Sequence, residues 1–181
     1  MIRRDYLIVG AGVGGVSVCE GIREHDKKGS ILLVGADPVP PYYRPKLVGS
    51  FFGKTPPAPE KLCVHDEAWF RKNNIDLRLG TLVTQFNHER HIAVFGDGLA
   101  IEFRKACLPT GSRPRRPPVA AANVGNVFYL RSFREFLALH EVVEVENDLV
   151  VVGGGLLASE IEAALAERPK TKITLLHRGP H

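Results

Sequence analysis

The sequence predicts an α/β fold made of two β-α-β units of one design, with a small antiparallel β insertion between them. Three observations predict it. The apolar runs that end at Gly10 and at Gly153 each lead into a glycine-rich turn and then a helical pattern. Both runs are continuously apolar, as strands are when helices cover both faces of a parallel sheet. Between the units, short apolar stretches are separated by turn residues at hairpin spacing.

The first unit begins Asp5-Tyr-Leu-Ile-Val-Gly10 and passes through Ala-Gly-Val-Gly-Gly into a helix to about His25, then a strand over 31–34. The second begins Asp148-Leu-Val-Val-Val-Gly153 and passes through Gly-Gly-Leu-Leu-Ala into a helix to about Arg168, then a strand over 173–176. In this second helix Leu157, Ile161 and Leu165 stand four apart, which predicts one buried stripe. Gly153 follows Gly10 by 143 residues, too far for a stacked repeat array and suited to two nucleotide-binding units in one chain.

The intervening segments read as follows. Residues 57–74 contain a helix carrying Trp69 and Phe70. Residues 81–87, 91–95 and 99–103 are strands, the last two joined by Gly96-Asp97-Gly98. Residues 105–110 predict a further short strand. Gly111-Ser-Arg-Pro-Arg-Arg-Pro-Pro118 breaks regular structure and is the predicted linker. Ser132, with Glu135 three residues on, forms a capping box for a helix to about Val145.

Composition narrows the function. A chain of 181 residues suits one domain and part of another, and 44% hydrophobic residues suffice for a core. The net charge of +4 comes without a basic stripe or interleaved aromatics, which argues against nucleic-acid binding. The tightest basic cluster, Arg113, Arg115 and Arg116, lies among prolines and reads as a solvated linker. Cys19, Cys63 and Cys107 stand 44 residues apart, which is neither metal-ligand nor dithiol spacing. They fit buried, reduced thiols of a cytoplasmic protein. His65, His88 and His91 lack the carboxylate company of a metal site. The apolar run 6–9 is too short for a signal peptide or a membrane span.

The chemistry lies in the turns. Gly10-Ala-Gly12-Val-Gly14-Gly15 is a G-x-G-x-x-G between a strand and a helix. Gly10 permits the tight turn, Gly12 lets a pyrophosphate approach the backbone, and Gly15 lets helix and strand pack closely. The helix N-terminus then offers N–H donors and the positive end of its dipole. An acid should follow the second strand to accept from ribose hydroxyls, and Asp37 stands 22 residues after Gly15. The second fingerprint is Gly153-Gly-Gly155-Leu-Leu-Ala158, with alanine in the third place. Its second strand ends at Leu176-His177-Arg178 without a carboxylate. Arg178 could pair with a 2′-phosphate, which favours NADPH over NADH.

Further motifs accompany the fingerprints: Pro41-Tyr-Tyr-Arg-Pro45, Ile75-Asp-Leu-Arg-Leu-Gly80-Thr with Val83, and Pro109-Thr-Gly-Ser-Arg-Pro114. In this order, over nearly the whole chain, the set resembles the FAD-dependent pyridine-nucleotide oxidoreductases. The branch it is most similar to holds ferredoxin and rubredoxin reductases and apoptosis-inducing-factor-like proteins. The resemblance implies two Rossmann-like units, FAD as cofactor, NAD(P)H as electron donor and a small iron–sulfur protein as acceptor, with no membrane or nucleic-acid partner. It implies that Gly10, Gly12 and Gly15 hold the FAD pyrophosphate. Asp37, or else position Ala36, meets the adenosine ribose. Arg44 and Pro45 lie along the pyrophosphate and flavin ring, and Val83 meets the adenine through its backbone. Thr110 and Gly111 mark the return toward the nicotinamide domain, and Gly153, Gly155 and Ala158 hold NAD(P)H.

The chain also departs from that pattern. Many relatives follow the arginine-proline motif with Ser-Lys, where this chain has Val48-Gly49, while Lys46 and Lys54 sit at other spacings. The usual Ala-Thr-Gly is Pro109-Thr110-Gly111, and there is no CxxxxC, so no dithiol relay is expected. Such families also resume the FAD domain after the nicotinamide domain and add an interface domain. The expectation is therefore a first FAD-binding segment over 1–112 and a truncated NAD(P)-binding part over 113–181. No side chain reads as a catalytic acid, base or nucleophile. Two alternatives to a working reductase remain: a non-catalytic dinucleotide-binding fragment, and a single-domain NAD-dependent dehydrogenase, which the second fingerprint disfavours.

Overall fold

A computed structural model describes residues 2–50, 53, 55–116, 125–145, 148–168 and 171–179. Pro117 and Pro118 of the expected linker, and Lys54, lie outside the described residues. The chain forms two compact units, one of residues 1–43 with 59–112 and one of 44–58 with 113–181.

The first unit starts with strand β1 (Ile2–Val9), helix α1 (Val13–His25) and strand β2 (Ile31–Val34). Strands β1 and β2 are parallel, with Tyr6 opposite Ile31 and Val9 opposite Val34. The expected helix within 57–74 is two short pieces, a 3-10 turn (Pro59–Leu62) and a helix in unit 1, Glu67–Lys72. Asp66 caps that helix by accepting from the Trp69 N–H at 2.8 Å. The stretch from Ile75 is a third parallel strand, β3 (Ile75–Arg78), beside β2. Then come β4 (Val83–Asn87), β5 (Ile92–Phe95) and β6 (Ala100–Cys107). One six-stranded sheet results, in the order β3-β2-β1-β6-β5-β4.

The expected antiparallel strands form, β4 with β5 and β5 with β6, and they join the parallel sheet through β6. One expectation changes here: residues 105–110 are not a strand of their own. Strand β6 runs unbroken because it serves two partners: Ile101 faces Ala93 of antiparallel β5 and also Ile2 of parallel β1, and the pairing with β1 continues to Cys107.

Alternation along β1 divides the core. Leu7 packs on one face with Leu32, Val34, Ala93, Phe95, Ile101 and Phe103. Ile8 packs on the other with Val16 and Cys19 of α1, Ile31, Leu33, Phe70 and Ile75. Each Leu, Ile, Val or Phe side chain among them, fully buried, contributes about 1.5–3 kcal/mol.

A buried cation secures the α1 end of this unit. The Arg23 guanidinium donates to the carbonyls of Asn73 (2.6 Å), Asp26 (2.8 Å), Gly29 (2.8 Å) and Asn74 (2.9 Å). The planar fork of arginine suits four acceptors spread over two loops. Beside it, Asp26 accepts from the Gly29 and Lys28 N–H groups and from the Tyr6 hydroxyl. These donors hold its carboxyl down to about 2. The N–H and hydroxyl of Ser30 likewise lower the Asp5 carboxyl.

The second unit holds α2 (Lys46–Gly49) of residues 44–58, and then a helix (Phe133–Val145), a strand (Asp148–Val152), a helix (Leu156–Ala166) and a strand (Lys172–Leu176). In chain order through both units, the helices Glu67–Lys72, Phe133–Val145 and Leu156–Ala166 are α3, α4 and α5. The strands Asp148–Val152 and Lys172–Leu176 are β7 and β8. The capping box of α4 forms as expected: the Ser132 N–H donates to Glu135 Oε2 at 2.7 Å, and the Glu135 N–H donates to Ser132 Oγ at 3.3 Å. Strands β7 and β8 are parallel, with Val152 opposite Leu176.

The expected stripe on α5 is corrected. Leu165 is buried, but Leu157 is 46% exposed and Ala158 is buried in its place. The turn before α5 sets the rotation of the helix, so that Ala158 faces the chain at Gly153. Helices were expected on both faces of this sheet, yet among the described residues Val150, Val152 and Leu176 remain exposed.

Two outcomes are expected. Arg23→Leu strands four carbonyls and should cost about 3 kcal/mol or more in denaturant unfolding, and Arg23→Lys should not restore it, since one ammonium cannot span both loops. Asp26 has a folded value of about 2, below its unfolded 3.8, so its contribution is present above the unfolded value and is lost as pH falls toward 2. Melting curves between pH 5 and pH 2 should show a shallower acid decline for Asp26→Asn than for the unaltered chain.

Candidate dinucleotide site

The backbone of the first turn explains its glycines separately. Gly10 follows β1 with φ +128°, and its N–H donates to the Val34 carbonyl at 2.8 Å. A Cβ there would overlap the Pro109 carbonyl oxygen, so β1 and the segment after β6 meet at this point. Gly15 is buried, and a Cβ on it would overlap the Gly10 carbonyl oxygen and stand 3.0 Å from Leu33 Cδ1. Gly14 is freer, with a Cβ only in ordinary contact with the Pro109 side chain at 3.5 Å. Gly12 has a φ of −111°, and a Cβ on it would meet nothing within 4 Å. Neither backbone strain nor packing requires glycine there, which leaves open space in front of the helix.

The second turn repeats this geometry. Gly153 has φ +145°, and its N–H donates to the carbonyl of Leu176, the last residue of β8, at 2.9 Å. Gly155 opens α5 as Gly12 opens α1, also with nothing within 4 Å of a built Cβ. Ala158 stands where Gly15 stands in the first copy, with its Cβ 3.7 Å from a Cβ built on Gly153, so this turn has room for a methyl group.

The residue after each second strand also presses on its turn. A Cβ on Gly35 would lie 2.5 Å from Ala11 Cβ, and a Cβ on Gly154 would lie 2.9 Å from His177 Cβ. In each copy one member of the pair is glycine, and the two copies place that glycine on opposite partners. Sequence reading missed this reciprocity, whose signals were glycine at 154 inside the second fingerprint, where the first has Ala11, and Gly35 directly after β2.

Helix ends set α1 and α5 apart from α3 and α4, while the single-turn α2 is also uncapped. Neither α1 nor α5 has a side-chain cap or an acidic residue in its first turn. By contrast, Asp66 caps α3 and the Ser132–Glu135 box caps α4. An uncapped helix N-terminus with a positive dipole end suits an anion such as a phosphate. The first turn also sits beside the end of β6, where the chain leaves β1 for β2 on one side and pairs with β6 on the other. In open α/β sheets that switch point is where ligands bind.

Other expected residues surround this end of the sheet. Asp37 is half-buried, and its Oδ2 accepts from the hydroxyl of buried Tyr42 at 2.9 Å. Tyr42 was not singled out by sequence reading, although it lies within the Pro-Tyr-Tyr motif. The Gly80 N–H donates to the Asp37 carbonyl at 3.0 Å and the Thr81 N–H to the Gly35 carbonyl at 2.8 Å. These bonds hold the segment before Val83, the first residue of β4, against the end of β2. Thr110 and Gly111 are exposed just after Pro109, with Gly111 at φ +76°. Arg44 and Pro45 are not grouped with them. Both belong to the second unit, where the Arg44 guanidinium donates to the Arg131 carbonyl and Pro45 precedes α2. Arg178 is exposed two residues past β8.

All three cysteines are free. Cys19 is buried as expected, and burial pushes its thiol up to about 12. Cys63 and Cys107 are only half-buried, because each lies at an element boundary. Among the described residues there is no group of three or more metal-ligating side chains, and no helix is long and apolar enough to cross a membrane.

Paired strand–turn–helix units with uncapped helix starts define an α/β dinucleotide-binding protein. Residues 4–181 match the family described as pyridine nucleotide-disulphide oxidoreductase, and the chain belongs to that family. It is 36% identical over 175 residues to putidaredoxin reductase CamA of Pseudomonas putida, covering 95% of this chain and 41% of that protein. It is 32% identical over 164 residues to rhodocoxin reductase of Rhodococcus erythropolis, covering 91% and 38%. Among solved structures, a covalent putidaredoxin reductase–putidaredoxin complex matches with a TM-score of 0.83 at 32% identity, over 97% of this chain and 42% of that one. The NADH:rubredoxin oxidoreductase of Clostridium acetobutylicum shares the fold, with a TM-score of 0.86 at 22% identity over 97% and 44%. The chain thus spans about two-fifths of the length of these relatives.

Substitution should separate packing glycines from the open one. Gly15→Ala is expected to destabilise by about 2–3 kcal/mol in denaturant unfolding, because its methyl has nowhere to go. Gly12→Ala should leave the unfolding midpoint unchanged while weakening retention of a bound dinucleotide, read by equilibrium dialysis.

Proposed function

We propose that this chain is the dinucleotide-binding part of an FAD- and NAD(P)H-dependent reductase that supplies electrons to a small iron–sulfur protein such as a ferredoxin or rubredoxin. The observation that carries the reading is the pair of turns in which Gly12 and Gly155 leave open space before uncapped helices. Each fits a pyrophosphate, and two such sites in one chain fit a cofactor and a dinucleotide substrate. The names of the relatives support the electron-transfer reading.

The first turn would hold FAD. Gly10, Gly12, Gly14 and Gly15 bring backbone N–H groups to its pyrophosphate. Asp37, oriented by Tyr42, accepts from the adenosine ribose, and the Val83 backbone borders the adenine. Thr110 and Gly111 close the side next to β6. Arg44 and Pro45 are assigned to the flavin end of the same cofactor. The second turn, with Gly153, Gly155 and Ala158, would hold NAD(P)H. FAD, when bound, would supply the redox chemistry between NAD(P)H and the acceptor. This chain's residues bind and orient, and none is assigned as an acid, base or nucleophile. The domain division proposed is an FAD-binding segment over 1–112 and an NAD(P)-binding part over 113–181. The free thiols suit a reducing compartment, and a cytoplasmic location is proposed on that ground.

One observation favours a second reading, a dinucleotide-binding fragment without turnover. Val150, Val152 and Leu176 leave an apolar face on the β7–β8 pair, and hydride transfer needs both rings held face to face.

A visible absorption spectrum of the purified protein incubated with FAD, before and after anaerobic addition of NADPH, tests both. The expected result is a flavin band that bleaches. A band that persists favours the fragment reading, and no flavin band overturns the assignment of the first turn.

A further inference from the structure

We propose that Asp97–Gly98, in the turn between β5 and β6, is a site of spontaneous succinimide formation and isoaspartate conversion, held in check by the guanidinium of Arg78. The chemistry is the attack of a backbone nitrogen on the carboxyl of the residue before it. The Gly98 nitrogen bonds to Asp97 Cγ and the carboxylate takes up a proton. One carboxyl oxygen then leaves as water, with that proton and the amide hydrogen. A second water opens the five-membered ring. Addition at Cγ restores aspartate, and addition at the Asp97 main-chain carbonyl leaves the chain running through Cβ. No oxidant, reductant or co-reactant besides water takes part.

Sequence and fold both admit the attack at this position. No other aspartate, and no asparagine, precedes a glycine in the chain. A side chain after the aspartate would hinder the approaching nitrogen, and glycine has none. A Cβ built on Gly98 meets nothing within 4 Å, so the surrounding fold does not supply that hindrance either. The Asp97 side chain is 57% exposed, which admits the water that ring opening needs. Gly98 stands at φ +84°, in the left-handed region, so the turn itself favours the glycine that eases the reaction.

The folded turn restrains both reacting groups. The Gly98 N–H donates to the Phe95 carbonyl at 2.9 Å, a bond that is lost when its nitrogen is acylated. Asp97 Oδ1 accepts from the Leu99 N–H at 3.2 Å, and Oδ2 pairs with Nη2 of Arg78. Arg78 is itself fixed: it is the last residue of β3, and its guanidinium lies over the Phe95 ring, 4.6 Å from the centroid. Both carboxylate oxygens are thereby held, and ring closure has to release Arg78. The Arg78 carbonyl accepts from the Gly35 N–H at 2.9 Å, so the same pair ties the hairpin turn to the ends of β2 and β3. Isoaspartate adds one main-chain carbon to the turn and moves the free carboxylate off the side chain that Arg78 holds.

The test incubates the purified chain, folded, near neutral pH over several days. Isoaspartate is quantified with an isoaspartyl-specific methyltransferase and located by peptide mass mapping. It should accumulate at position 97 ahead of every other aspartate. Arg78→Gln should raise the rate there about 2- to 5-fold, the factor an exposed ion pair supplies. Raised salt screens the pair and should speed the unaltered chain toward the Arg78→Gln rate. Salt acts on the unaltered chain, so this arm stands even where Arg78→Gln fails to fold. Isoaspartate at position 97 that forms no faster than elsewhere overturns the site. A rate that salt does not move overturns the role of Arg78, as does an Arg78→Gln chain, folded by circular dichroism, that reacts no faster than the unaltered one.

Discussion

The approach of α1 to β1 at Gly15 and Gly10 is the contact on which the first unit depends. A buried helix start cannot come this close to a carbonyl oxygen if it carries a methyl group. Because it carries none, α1 begins directly against the end of β1, with open space where a Gly12 side chain would stand. The same closeness lets Val16 and Cys19 reach Ile31 and Leu33 across the sheet. One steric condition therefore sets both the helix–sheet core and the place where an anion fits.

The rest of the unit holds that geometry steady from its far side. Arg23, in the last turn of α1, draws the chain after α1 and the loop after α3 onto one guanidinium. Its four acceptors are all backbone carbonyls, so this buried charge is hydrogen-bonded by peptide dipoles. At the opposite end of the sheet the loops after β2 and β3 are tied by the Gly80 and Thr81 N–H groups. The binding end is thus built from loops, but loops pinned to a rigid parallel sheet, the usual support for a ligand site.

The two copies of the turn show which parts of the design are strict. The positive φ at the first glycine and the bond from its N–H to the second strand recur in both. The third position does not: alanine fits in the second copy, where its methyl clears Gly153. The small-residue contact between turn and second strand can be met from either side, by Gly35 or by Gly154. Past the second strand the two copies also differ in sequence, Gly35-Ala36-Asp37 in one and His177-Arg178-Gly179 in the other.

The glycine fingerprints, the β-α-β order and the α4 capping box were legible in the sequence because each depends on residues close together in the chain. Turn angles, helix capping and apolar periodicity are local physics. What the sequence did not reveal depends on pairings between distant segments. Strand β6 is continuous because β1 and β5 both need it, which no local pattern at 105–110 records. Leu157 is exposed and Ala158 buried because the turn at Gly153 rotates α5, overriding the spacing of its leucines. Tyr42 meets Asp37 only because the chain folds back after β2. Alone, the sequence determined the two dinucleotide turns and the class of fold that carries them. Tertiary structure decided which glycines are packed and which are open, since that depends on what the rest of the chain places above each Cα.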